Sequence, residues 1–160
     1  IINTMLKKIL PDNSNSDFLL VIKTVSLLLI VAFLLGAGLG LLGQRFPESQ
    51  VKELGILVFF LGAVVIGPLL ETLLLAALTE LGVKIKVSRV VITAVVAIFF
   101  GFLHLTDYVA SFILAVGGFA VYTYVYLKVR EDTVFRAIKV GYLAHALRNL
   151  IALFSAILLT

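Results

Sequence analysis

The sequence predicts an all-α, polytopic transmembrane helical bundle with about five membrane-spanning helices and a short interfacial helix at the N-terminus. Three observations predict it. Of 160 residues, 62% are hydrophobic and 14% charged, with a mean hydropathy of +1.19, against about 45–50% and about 25% in a soluble domain. A globule of this size buries only about two-thirds of its unfolded surface, too little to hide so much apolar side chain. The apolar residues also come in runs near the ~20 residues that cross a bilayer, whereas barrel strands alternate over about 10.

The finer counts exclude whole classes of chemistry. There is no cysteine, so thiol redox, Cys-based zinc and iron–sulfur sites are absent. Two histidines limit any metal centre to two imidazole ligands. The net charge of +4 points to lipid headgroups rather than nucleic acid, because the bases lie between apolar runs.

In chain order, Ile2, Met5, Leu6, Ile9 and Leu10 share one helical face opposite Lys7 and Lys8, as in an interfacial helix. The turn cluster from Pro11 to Asp17 follows, with Ser16 or Asp17 placed to cap the next helix. The first long run is Phe18 to about Leu42, interrupted by Lys23, which lies near a helix end and can snorkel to the headgroups. Its Gly36-x-x-x-Gly40 spacing allows another helix to approach. The second run, about Ile56–Leu81, contains Pro68 and Glu71; the third, about Val90–Leu105, contains His104. The fourth covers about Val109–Leu127, and the fifth, about Ala137–Leu159, holds His145, Arg148 and Asn149.

Basic residues set the orientation. Lys7 and Lys8, then Lys84, Lys86 and Arg89, then Lys128, Arg130, Arg136 and Lys139 fall on one side; Arg45 and Lys52 fall on the other. The positive-inside rule places the N-terminus in the cytoplasm of a multi-pass cell-membrane protein.

Ionisable groups at bilayer depth cost roughly 2.5–3.5 kcal/mol each on insertion scales, so Glu71, Arg148 and the two histidines each need a reason. Pairing of Glu71 with Arg148 would be a purely structural one. Pro68, three residues before Glu71, withholds an N–H and kinks the helix there. Phe100 lies one turn before His104 and can pack on its ring. His145 and Asn149, four residues apart, emerge on one helical face. An imidazole and a carboxamide there can donate to a developing oxyanion, while Glu71 with His104 can deprotonate a water. The constellation is hydrolytic. Counted along the runs, however, Glu71 and His145 lie about 15 Å from the cytoplasmic end, Asn149 near 20 Å and His104 about 24 Å.

The same residues resemble the CAAX-protease and bacteriocin-processing family of intramembrane proteases. Its first motif, Pro-x-x-Glu-Glu-x-x-Phe-Arg, is similar to Pro68 through Ala76; its Phe-x-x-x-His is matched by Phe100 and His104, and its His-x-x-x-Asn by His145 and Asn149. The likeness spans about residues 66–153 of a single transmembrane domain, with residues 1–43 a variable flanking segment. It implies that Glu71 and His104 activate the attacking water while His145 and Asn149 steady the tetrahedral intermediate. Thr72 replaces the second Glu and Ala76 the Arg, and Arg148 is a candidate source of the missing charge. If Glu71, His104 and His145 were zinc ligands of the His₂Glu kind, only Asp107 at the boundary would remain as a base. A reaction that requires no cofactor is preferred, with Zn²⁺ as the alternative because metal-bound hydroxide attacks without a separate carboxylate.

The expected function is thus hydrolysis of a peptide bond in a hydrophobic or lipidated peptide or protein by glutamate- and histidine-activated water. The alternatives are a catalytically inactive scaffold or bacteriocin-immunity-type protein, and a small transporter component, although no inverted repeat is visible.

Overall fold

In a computed structural model the described residues, 16–44, 55–105 and 108–158, form helices and connecting turns with no strand. The expected interfacial helix at residues 1–10, together with Arg45, Pro47, Lys52 and Asp107, lies outside them.

Five apolar helices follow one another: α1 (Asp17–Leu41), α2 (Ile56–Lys84), α3 (Arg89–Leu103), α4 (Val109–Val129) and α5 (Val134–Leu158). Four are long and apolar enough to cross a membrane, which makes this a multi-pass membrane protein. The expectation of five full crossings is refined at α3, whose 15 residues reach about 22 Å against a hydrocarbon core of about 30 Å. The helix stops because His104 closes it. Its N–H bonds to the Phe100 and Gly101 carbonyls at 3.1 Å each, and its ring Nδ1 donates to the Phe100 carbonyl at 2.8 Å. Carbonyls that would otherwise be orphaned at the helix end are satisfied by the residue that ends it.

The starts are set by hydroxyl caps. Ser16 Oγ accepts from the Leu19 N–H (3.3 Å), as its sequence position suggested, and Ser88 Oγ accepts from Val91 (3.4 Å). Within α2 the segment Phe60–Ile66 is wound as a π-helix directly before Gly67 and Pro68. This is where the sequence placed a disturbance, and the disturbance takes the form of a register change.

Charged side chains gather at one end of the bundle. Arg136 (2.7 Å) and Lys139 at the start of α5 pair with Asp17 at the start of α1. Arg89 at the start of α3 pairs with Glu131 beyond α4 (2.6 Å). Arg130 grips Glu80 through two nitrogens at 2.6 and 2.8 Å, and Tyr126 donates to the same carboxylate at 3.0 Å. Consecutive helices therefore run in alternate directions. The opposite end carries no Asp, Glu, Lys or Arg among the described residues.

The core is built around α4, whose Phe119, Val125, Tyr126 and Val129 are buried with Leu20 and Leu28 of α1, Leu75 of α2, Val96 and Phe100 of α3 and Val140 of α5. Gly36 and Gly40, expected to admit a neighbouring helix, have open space where a Cβ would stand. The close approaches occur elsewhere. A Cβ at Gly101 would overlap Val116 and the Phe112 ring, and one at Gly117 would overlap Leu35, so it is these two glycines that let α3 and α1 lie against α4.

Gly101→Val should accordingly destabilise the bundle by about 1–3 kcal/mol through overpacking, while Gly36→Ala changes stability by less than about 0.5 kcal/mol. Thermal unfolding in detergent checks both, and equal losses would contradict the packing described.

Candidate active site

Glu71 lies mid-way along α2, thirteen residues before Lys84, and so about 20 Å from the charged end. His104 closes α3, fifteen residues beyond Arg89, at about 22 Å. The disparity of about 9 Å between Glu71 and His104 expected from the apolar runs therefore shrinks to about 2–3 Å. Its cause was the end of α2, which runs on through Gly82, Val83 and Lys84 instead of stopping at Leu81.

The carboxylate of Glu71 stands between two imidazoles. Oε1 is 3.6 Å from His104 Nε2, and Oε2 is 3.4 Å from His145 Nε2. His145, on α5, is buried, whereas Glu71 and His104 are partly open to a cavity of about 730 Å³. Residues from all five helices line this cavity, among them Leu28, Pro68, Glu71, His104, Gly118, His145, Arg148 and Asn149. It extends from the level of Glu71 toward the uncharged end, past Phe59 on α2, Ser111 on α4 and Ala156 on α5.

The hydrogen bond from His104 Nδ1 to the Phe100 carbonyl fixes the tautomer, since a carbonyl only accepts. In the neutral ring, Nε2 then presents a lone pair toward Glu71. The two groups face each other at 3.6 Å, so the pair can share a proton or receive the hydrogens of a water. Phe100 thus acts through its backbone. Its ring, fully buried, stacks on Phe119 at 3.9 Å rather than packing on His104, which corrects the expectation for that side chain.

Sequence reasoning missed Phe119 and Tyr122. Both project from α4 between the histidines: Phe119 lies 5.4 Å from the His104 ring and 5.7 Å from the His145 ring, centroid to centroid, and Tyr122 lies 4.6 Å from His145. Together they fix the orientation of the imidazoles. Nothing in an apolar run distinguishes two such aromatics from lipid-facing ones.

No Glu71–Arg148 ion pair within 4 Å occurs among the described residues. The Arg148 Nη1 donates to Asn149 Oδ1 at 3.0 Å, and Asn149 Nδ2 donates to the Ala63 carbonyl at 2.7 Å. Asn149 therefore lines the cavity with its amide engaged on both sides. Thr72 and Ala76, at the positions where the resemblance has Glu and Arg, are both buried. They stand four residues apart on one face of α2. Thr72 lies against Gly141 of α5, where a Cβ would sit 3.4 Å from its methyl. Both positions are occupied by uncharged, well-packed side chains.

Among the described residues no group of three or more His, Cys, Asp or Glu is arranged to hold a metal ion.

Residues 53–151, more than half of the chain, match the family described as Type II CAAX prenyl endopeptidase Rce1-like. Comparison with curated proteins and with solved structures gave no match. The matched stretch contains α2 through most of α5, and with them Glu71, His104, His145 and Asn149. With this match over a membrane-embedded helical bundle, the chain belongs to the CAAX-protease (Rce1-like) family.

Proposed function

We propose that the protein is an intramembrane endopeptidase that hydrolyses a peptide bond in a hydrophobic or lipidated peptide or protein. The observation that carries this reading is the Glu71 carboxylate set between two imidazole nitrogens at 3.4 and 3.6 Å in a cavity open to all five helices. A carboxylate at bilayer depth needs a compensating role, and these partners suit it to proton transfer.

The reaction follows from the acceptors. A water held between Glu71 Oε1 and His104 Nε2 gives up a proton to this pair as its oxygen attacks the scissile carbonyl carbon. Negative charge moves to the carbonyl oxygen, facing His145 and, one turn farther along α5, the Arg148–Asn149 pair. Collapse of the intermediate breaks the C–N bond, and the proton taken from water passes to the leaving amine. The products are a new carboxyl terminus and a new amino terminus. Proximity within an enclosed, largely apolar cavity strengthens each of these electrostatic contacts.

Apolar cavity walls and exposed lipid-facing helices support a membrane-associated substrate. The cluster of basic residues at the ion-paired end supports a cytoplasmic location for the start of α1. A second reading, an inactive scaffold or immunity-type protein, is favoured by one observation: buried Thr72 and Ala76 in place of the family's Glu and Arg.

Purified protein in liposomes, presented with labelled hydrophobic peptides, separates the two. Glu71→Gln should lower cleavage by about 10²–10⁴-fold while leaving the thermal midpoint within a few degrees. A biological effect that survives Glu71→Gln unchanged would favour the scaffold instead. On the metal-independent reading, 1,10-phenanthroline leaves the wild-type rate unchanged. An inhibition reversed by added Zn²⁺ would contradict that part of the mechanism.

A further inference from the structure

The π segment of α2 leaves one backbone carbonyl without its helical donor. Gly67 N–H bonds to the Gly62 carbonyl, five residues back. In that register the next donor, at position 68, would serve Ala63, and Pro68 has no N–H. Asn149 Nδ2 occupies this vacancy from the neighbouring helix, at 2.7 Å from the Ala63 oxygen. Its Oδ1 simultaneously accepts from Arg148 Nη1 at 3.0 Å. The amide is thereby used on both sides by the protein itself. Arg148 also lines the cavity with Glu71 and both histidines, and it has no carboxylate within 4 Å among the described residues. Arg148 acts electrostatically on Glu71 without closing an ion pair within 4 Å, and its five N–H groups leave donors beyond the one held by Asn149 for an anion that forms in the cavity.

We propose a division of labour that rests on the hydrolytic reading. Asn149 is a positioning residue that closes the gap made by Pro68 and holds the Arg148 guanidinium, and Arg148 is the group that meets the negative charge developing on the substrate carbonyl oxygen. The coupling runs in one direction through two hydrogen bonds, from the π segment to Asn149 and from Asn149 to Arg148. Pro68 and Asn149, far apart in the sequence on α2 and α5, are thus parts of one device.

Two measurements test the two halves. In the first, thermal midpoints are compared in a Pro68/Asn149 double-mutant cycle. Asn149→Ala in the wild-type background should lower the midpoint by about 2–5 °C by orphaning the part-buried Ala63 carbonyl. In a Pro68→Ala background, where position 68 supplies its own N–H, the same change should cost less than half as much. Equal losses in both backgrounds would overturn the positioning role. In the second, Arg148→Gln should lower kcat by about 10²-fold or more with KM and thermal midpoint nearly unchanged, and Arg148→Lys should recover part of it. Full kcat in Arg148→Gln, with a loss confined to Asn149→Ala, would instead make the amide itself the oxyanion donor and overturn the proposal. A wild type without turnover would sink the hydrolytic reading and the Arg148 half with it, while the stability cycle still decides the Asn149 half.

Discussion

The constraint on which the rest of the structure depends is the placement of one carboxylate at membrane depth. A carboxylate at this depth is costly, and Glu71 lies at the edge of the cavity with one imidazole nitrogen facing each of its oxygens, at 3.6 and 3.4 Å. Each imidazole needs its own support. His104 obtains it by terminating α3 and donating to the Phe100 carbonyl, so the shortness of that helix and the orientation of its last side chain have a single cause. His145 obtains it from aromatic contacts with Phe119 and Tyr122 on α4.

The remainder of the fold brings these three helices to a common level. The ion pairs at the charged end tie α1 to α5, α2 to α4 and α3 to the segment after α4. They fix one end of the bundle, where partial exposure makes each pair individually weak but where together they set the vertical register of the helices. Gly101 and Gly117 then allow α3 and α1 to close on α4. The N-terminal half of α2 packs on the C-terminal half of α5 through Val64 and Leu153, and the cavity lies beside this contact, where Gly62, Ala63, Ala152 and Ala156 present little side-chain volume to it. Small residues do opposite work in the two places: they permit contact around α4 and keep space open beside α2.

Much of this is legible in the sequence, because hydropathy and the cost of buried charge are strong local signals. The apolar runs locate the five helices, and Ser16 announces the start of α1. Glu71, His104 and His145 stand out because each interrupts a stretch that lipid would otherwise occupy. What was not legible depends on a partner chosen by the fold. The end of α2 was placed at Leu81 because Gly82 and Lys84 read as a link, yet a helix in a bundle continues through both. The Gly36-x-x-x-Gly40 spacing looked like a contact, whereas isolated Gly101 and Gly117 make the contacts, since a glycine is informative only with knowledge of what faces it. Phe119 and Tyr122 carry no local mark at all. The disturbance at Pro68 was visible, but its repair by an amide from residue 149 was not.

The central claim is that the Glu71 carboxylate faces the Nε2 of both imidazoles, and ¹⁵N NMR of the histidine side chains in wild-type protein and Glu71→Gln tests it most directly. The geometry predicts that His104 carries its proton on Nδ1, fixed by the Phe100 carbonyl, in both proteins. It also predicts that the Nε2 resonances of His104 and His145 both shift when the carboxylate becomes an amide, because that nitrogen faces Glu71 in each ring. Nε2 signals that stay in place for both histidines would contradict the arrangement, and with it the water-activating site built on it.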